Sequence, residues 1–265
     1  MLTISELYIY PVKSLGGIAV KEASLTDRGF AYDRRWMLVD TTGNFISQRE
    51  INEMSLLKVS LTETNLVIEH LQKPGNLLTI PLNHATGEEI LVRIWDDVCK
   101  AVYVSQEADQ WCSEMLSHQC RLVYMPDDTH RLVDEQYAQN NEVTGFSDGY
   151  PLLIIGQASL DDLNKRLAEQ LPMNRFRPNI VFTGGVPFEE DGMKSFDING
   201  ITFYGVKPCA RCVITTIDQS TGEKGKEPLK TLSTYRSSNN NVYFGQNLLF
   251  KGKGFLKIGD KISLL

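Results

Sequence analysis

The chain has 265 residues, room for one large domain or two small ones, and its 42% hydrophobic and 23% charged residues mark an ordinary globular composition. A net charge of −6 argues against a broad basic face for nucleic acid, and no apolar run approaches the ~20 residues of a membrane span. No nucleic-acid or membrane partner is therefore expected. The opening "MLTISELYIYPVK" lacks a basic segment followed by an apolar one, so no signal peptide is expected. Five cysteines, an odd number, fit reduced thiols in a cytoplasmic protein better than a disulfide framework.

In chain order, "LTISELYIYPV", "RWMLVD" and "FISQRE" are short β-rich runs, with "TTGN" as a turn between the last two. "LLKVSLTETNLVIEH" alternates across the polar break "TETN" and predicts a hairpin. "NHATGEE" separates "LLTIPL" from "ILVRIW", and "KAVYVS" follows. This spacing predicts a mostly antiparallel sheet or barrel. In "SQEADQWCSEMLSHQ" the apolar Ala108, Trp111, Cys112, Met115 and Leu116 share one face, which predicts a helix.

From "RLVYMPDD" to "FSDGY" the chain is polar and turn-rich. The domain junction is expected here, with domains at 1–120 and 121–265. "PLLIIG" predicts a buried strand, and "ASLDDLNKRLAEQL" a helix whose Ser159 and Asp162 have capping-box spacing. "RPNIVFTGG" reads as a strand, and "FDINGITFYGV" as a hairpin turning at Asn199-Gly200. "CVITTID" is a β-branched run expected as a strand. "PLKTLSTYR" predicts a short helix, and "NVYFGQNLLF" and "FLKIGDKISLL" flank a "KGKG" turn. The expected class is mainly β with a few helices (α+β).

The motif "KPCARC" poses the chemical question. Cys209 and Cys212 have the spacing of a redox couple, of half a zinc site, or of one soft-metal ligand with a bystander; two core cysteines would look the same. A thioredoxin-like couple needs its first thiol at a helix N-terminus, whereas this pair runs into a strand-like stretch. A zinc site needs four ligands, and neither the other cysteines nor His70, His84, His118 and His130 supply a second pair. Lys207 and Arg211 favour a thiolate, the form that attacks or binds a soft metal, so one activated cysteine with a supporting neighbour is the reading.

Other cations stand in unusual places. "YPVKSLGG" sets Lys13 and Ser14 before two glycines, a pattern suited to a phosphate. "YDRRWML" and "RFRPNIV" press Arg34, Arg35, Arg175 and Arg177 against apolar strands, and period-two alternation turns some of them inward. Together these segments predict a local anion pocket, yet neither GxxxxGK[ST] nor GxGxxG is present for a nucleotide.

With these residues in view, "YIYPVKSLGGIAVKEASLTDRGFAYDRRWMLVD" resembles the N-terminal β-barrel half of the MOSC (molybdenum cofactor sulfurase C-terminal) family. "LLIIGQASLDDLN", "FRPNIV", "KPCARCVITTID", "KEPLKTLSTYR" and "FGQNL" resemble the MOSC domain proper, collinearly over essentially the whole chain. The likeness is greatest to the amidoxime-reducing branch and its bacterial relatives. It implies an N-terminal antiparallel β-barrel-like domain followed by a MOSC β-barrel domain, with a molybdenum-pyranopterin cofactor between them. By resemblance Cys212 is the protein ligand to molybdenum and the catalytic cysteine, with Cys209 and Arg211 beside it. Lys13, Ser14, Arg34, Arg177 and Asn179 fall at positions that bind pterin and phosphate. Ser147 and Asp148, in "SDG", fall near another cofactor-contacting segment. Asn247 stands where relatives often carry an aromatic residue.

The activity so implied is reduction of small N-hydroxylated molecules (amidoximes, hydroxylamines, N-hydroxylated bases) to the amine and water. The chain shows no C-x₄-C-x₂-C pattern for a [2Fe–2S] centre, so a separate ferredoxin, cytochrome or flavin reductase is expected to bring electrons. Two alternatives stay open: a cofactor or sulfur carrier working through a cysteine persulfide, and a scaffold with a vacated site.

Overall fold

Seven strands close into a barrel. Around it run Leu152–Gly156, Ile180–Thr183, Leu2–Ile9, Lys261–Leu264, Ser195–Ile198, Ile201–Ala210 and Asn241–Lys251, and the last pairs back to the first. This computed structural model describes residues 1–83, 87–138 and 140–265. Leu152–Gly156 and Ile180–Thr183 pair in parallel, with the helix Gln157–Asn164 between them in sequence, and the other barrel pairings are antiparallel. The chain's first strand thus belongs to the barrel built mostly from its second half.

The barrel explains the unbroken apolar run "PLLIIG". Leu152 and Ile154 pack with Ile4, Phe196 and Phe203, while Leu153 and Ile155 pack on the other face with Phe176, Val181 and Phe244. A strand covered on both faces has no reason to alternate. Each such fully buried side chain contributes about 2 kcal/mol relative to exposure. The Asn199-Gly200 turn forms as expected, with φ of 55° and 79° at the two residues.

The N-terminal part is antiparallel, as its spacing requires. Trp36–Val39, Arg121–Tyr124, Asp97–Tyr103 and Glu89–Ile94 form a four-stranded sheet in that order. The predicted hairpin Leu57–Leu61 with Asn65–His70 gains a third strand, Leu77–Pro81. The helix Gln106–Leu116 begins at Ser105, whose Oγ accepts from the Ala108 N–H at 3.0 Å, and buries the five apolar residues that predicted it. Among the described residues no helix is long and apolar enough to cross a membrane. His84, and with it the middle of "NHATGEE", lies outside the described residues.

Four expectations change. "CVITTID" is not a strand: after Ala210 the chain turns, and Val213–Thr216 is a single 3₁₀ turn. The Thr215 hydroxyl donates to the Cys212 carbonyl at 3.0 Å and the Thr216 hydroxyl to that of Val213 at 2.7 Å, local bonds that compete with a sheet ladder. The helix expected over residues 158–171 is only Gln157–Asn164, and the capping box does not form. Ser159 instead donates to the fully buried Glu190 carboxylate at 2.8 Å and accepts from the Phe188 N–H at 2.7 Å. "FISQRE" leaves the sheet after Phe45, because Glu50 accepts from the Ser47 hydroxyl at 2.6 Å and closes a turn. "RLVY", taken as part of a turn-rich stretch, is the strand Arg121–Tyr124.

Candidate functional site

A cavity of about 300 Å³ opens where the N-terminal segment crosses the barrel. Four stretches far apart in sequence form its wall. Lys13, Ser14 and Arg34 come from the N-terminal half, and Ser147 and Asp148 from the polar connection. Arg177 and Asn179 precede the strand Ile180–Thr183, and Cys209, Arg211, Cys212 and Asn247 come from the long barrel strands and the turn after them. The structure brings these eleven residues to one wall, but not Arg35, which the sequence also placed in the anion pocket and which bonds Tyr124, Met125 and Asp127 instead. Six cations line it (Lys13, Arg34, Arg175, Arg177, Lys207 and Arg211) against one carboxylate, Asp148.

Local backbone chemistry sets these side chains. Ser14, Arg34 and Arg177 all have positive φ, 66°, 48° and 55°, a region costly for side chains and concentrated at functional sites. Long-range bonds hold them there. The Arg34 N–H donates to the Tyr10 carbonyl at 2.8 Å, and its own carbonyl accepts from Phe146 at 2.7 Å. The Ser14 carbonyl accepts from the buried Gln48 amide at 2.6 Å. Asn179, 1% exposed, is spent on structure: its Oδ1 accepts from Leu153 and Arg34 and its Nδ2 donates to the Tyr8 carbonyl. Asn247 likewise donates to the Lys207 carbonyl at 3.1 Å.

The loop carrying Ser147 and Asp148 is bolted from below by Arg131. This buried guanidinium donates to the carbonyls of Gly145, Ser147 and Asp148 at 2.9, 2.7 and 3.3 Å and pairs with Asp97 at 2.7 Å. Asp148 in turn accepts from Lys13 at 2.6 Å and from Arg49 at 3.4 Å. Burial pushes the Lys13 ammonium down to about 8, although Asp148 pulls the other way. Desolvation opposes ionisation of Asp148, but Lys13 and Arg49 outweigh it and hold the carboxyl below its usual range. The Asp148 side chain is 59% exposed, so solvent screens the pair to about 1 kcal/mol or less.

Two guanidiniums differ from the rest. Arg211 donates to the carbonyls of Phe244 and Phe176 at 2.7 and 2.8 Å, and its buried Nη2 has no partner among the described residues. Arg177 donates to the Leu15 carbonyl at 2.7 Å and lies 4.4 Å from the Tyr10 ring centre; burial lowers its pKa to about 10. Among the described residues neither makes an ion pair, whereas Arg34 has Asp33 at 2.6 Å and Arg175 has Asp218 at 3.3 Å. Half-buried cations without counter-charge are costly in an empty protein and suit a site built to receive an anion.

The thiols sit where the barrel strand loses register. Pairing with the neighbouring strand shifts between Gly205 and Lys207 and again between Pro208 and Ala210, irregularities that re-aim side chains beside a site. Cys212 follows at the head of the 3₁₀ turn, half-buried and facing the cavity. Burial pushes the Cys209 thiol up and outweighs Arg211, so the cationic neighbours do not make a thiolate of this cysteine. The residues that the sequence did not single out are Arg49, Arg131, Asp33 and Trp95. Only Arg49 left a signal, a cation after the apolar start of "FISQRE".

A barrel joined to an antiparallel N-terminal part, with a thiol and unpaired guanidiniums on one cavity, defines a class that the comparisons identify. The chain belongs to the MOSC family: residues 1–119 match the MOSC N-terminal beta barrel domain and residues 141–263 the MOSC domain. It is 32% identical to mitochondrial amidoxime-reducing component 1 of Mus musculus, over 99% of this chain and 82% of that one. It is 34% identical to mitochondrial amidoxime reducing component 2 of Rattus norvegicus, over 98% and 82%. A molybdenum cofactor sulfurase of Oryza sativa is 30% identical over 91% of this chain, which spans 32% of that longer protein.

Proposed function

We propose that the protein is a molybdenum-cofactor oxidoreductase that reduces small N-hydroxylated molecules with electrons from a separate redox protein. The observation that carries this reading is the pairing, on one cavity, of a half-buried thiol with two guanidiniums that have no counter-charge, Arg177 and Arg211. The donor set fits the group. A soft metal prefers a thiolate, and a phosphorylated pterin prefers planar cations that bond it in pairs. The orphaned Nη2 of Arg211 is a donor in want of an acceptor. Among the described residues no three of His, Cys, Asp or Glu gather into a metal cage, so a metal held through Cys212 brings its remaining ligands with it.

In this reading Cys212 binds the metal, Arg177, Arg211, Arg34 and Lys13 hold the anionic part of the pterin, and Ser14 and the Ser147–Asp148 loop border it. When bound, the cofactor supplies two-electron oxygen transfer, the chemistry that no side chain here can perform. The chain's own part is to bind, orient and manage protons. Lys13 Nζ, with its proton loosened by burial, is the wall group able to release one near neutral pH, and Asp148 fixes its position. Cys209, kept as a thiol, packs beside the ligand without competing for the metal.

The test is molybdenum and pterin content of protein from a cofactor-competent host, beside Cys212→Ala. Near-stoichiometric metal in the wild type, reduced at least tenfold in the variant, is the expected result, followed by amidoxime reduction with a supplied donor. Absence of both metal and pterin from the wild type would overturn the proposal. A second reading, a cofactor or sulfur carrier, draws support from the sulfurase relative. Persulfide trapped on Cys212 of metal-free protein would move that reading ahead.

A further inference from the structure

Next to the cavity, one hydrogen bond from its wall at Asp148, stands a residue that the proposed cofactor site does not use. Trp95 is the first of two residues joining the strands Glu89–Ile94 and Asp97–Tyr103, and its φ is 56°. This place in a two-residue hairpin favours glycine, asparagine or aspartate, and a bulky aromatic residue there is strained. Burial in the hairpin does little to offset that strain, because the residue is 46% exposed. It is nevertheless held. Arg49 lies 4.4 Å from its ring centre, Phe45 meets it edge-on at 5.0 Å, and Nε1 donates to Asp148 Oδ1 at 3.4 Å. Asp148 lines the cavity and carries Lys13, which also sits 5.1 Å from the Phe45 ring.

We infer that Trp95 is a specificity-determining residue: an aromatic platform next to the cavity that favours flat, conjugated N-hydroxylated substrates over aliphatic ones. The inference rests on the proposed reductase reading for the words "N-hydroxylated substrates". The platform itself rests on strain, exposure and the tether to the cavity wall. An exposed indole fixed by a cation and a carboxylate presents a preorganised face for stacking, and such contacts are worth about three- to tenfold in affinity.

The experiment uses oxidised holoenzyme with no electron donor, so that ligands bind without turnover. Dissociation constants for benzamidoxime and acetamidoxime are measured by calorimetry for the wild type and for Trp95→Ala, Trp95→Phe and Trp95→Gly, with thermal melts beside them. Trp95→Ala is expected to weaken benzamidoxime about three- to tenfold and leave acetamidoxime unchanged, and Trp95→Phe to restore most of the loss. Trp95→Gly, free of the strained φ, is expected to weaken benzamidoxime equally while melting higher than wild type. Equal weakening of both ligands, no weakening, or no binding of benzamidoxime to the wild type would overturn the inference. In a parallel turnover assay with a supplied donor, a change confined to the KM for that donor would also overturn it and make the indole a docking contact instead. If wild type binds benzamidoxime with the expected preference but no donor drives its reduction, the reductase reading fails and the platform stands.

Discussion

Arg34 and Arg35 are neighbours in the chain and do opposite things. Arg34 turns into the cavity, while Arg35 turns to the other side and is wholly consumed there. Its guanidinium donates to the Met125 carbonyl at 2.6 Å, to the Tyr124 hydroxyl at 2.8 Å and to Asp127 at 2.6 Å. Arg28 joins it, donating to the carbonyls of Asp127 and Thr129. This junction is a closed account of donors and acceptors that fixes the start of the polar connection. The cavity wall differs at Arg177 and Arg211, which make no ion pair among the described residues, while Arg34 keeps Asp33 at 2.6 Å and still faces the cavity. The difference teaches that an arginine is free to bind a ligand to the extent that its bonds inside the protein leave its charge uncompensated, which singles out Arg177 and Arg211. Arg175 and Arg177, two residues apart, repeat the contrast: the first pairs with Asp218, the second makes no ion pair among the described residues.

The contrast breaks if the two groups of arginines respond alike to removal. In the proposed function, Arg177→Met should lower retention of the pterin about tenfold to a hundredfold, the loss of charge-assisted bonds of roughly 1.5–3 kcal/mol. It should destabilise the cofactor-free protein less than Arg35→Ala does, since only the Leu15 carbonyl loses a donor while an unpaired cation is removed. Pterin fluorescence after dialysis, with melts of the metal-free form, checks both halves. Arg35→Ala should do the converse. Leaving the Met125 carbonyl and its surroundings unsatisfied costs about 2 kcal/mol, or about 5 °C in Tm, with cofactor content per folded molecule unchanged.

Glu190 sharpens the comparison with the sign reversed, a buried acid with no ion pair among the described residues and with Oε1 unpartnered. Burial raises its pKa to about 7, outweighing the Ser159 hydroxyl that favours the charged form. The folded protein therefore keeps a proton that the unfolded chain gives up from about pH 4.5 upward. The stability this group contributes is complete below that pH and lost as pH rises through about 7. Glu190→Gln should flatten this decline by an amount on the order of 1–2 kcal/mol between pH 5 and 8, read from denaturant midpoints.

Much of the site was legible because cations pressed against apolar strands are rare enough to stand out. Arg34 and Arg177 announced themselves that way, Lys13 by standing before two glycines, and the helix Gln106–Leu116 and the Asn199-Gly200 turn followed from local rules alone. What stayed hidden depends on partners distant in sequence. Arg34 and Arg35 look alike until Met125 and Asp127 are placed beside the second. Ser159 has the spacing of a cap, but a buried carboxylate 31 residues later takes its hydroxyl. The β-branched run after Cys212 reads as strand because nothing local shows that Thr215 and Thr216 will bond backward. Trp95 left no trace, since an aromatic residue after "VRI" reads as the end of a strand.

The barrel's topology also dictates when this site can exist. Its first strand waits for Ile180–Thr183 and then for Lys261–Leu264, and the cavity wall runs from Lys13 to Asn247. Pairings so remote in sequence close late and slowly. As the chain leaves the ribosome, Cys212, the metal ligand in the proposed function, emerges long after Lys13, and the wall between them stays open until Asn247 has followed. In the proposed function, the cofactor can therefore be enclosed only after the last barrel strand has been made, so its site is a late product of folding rather than an early one.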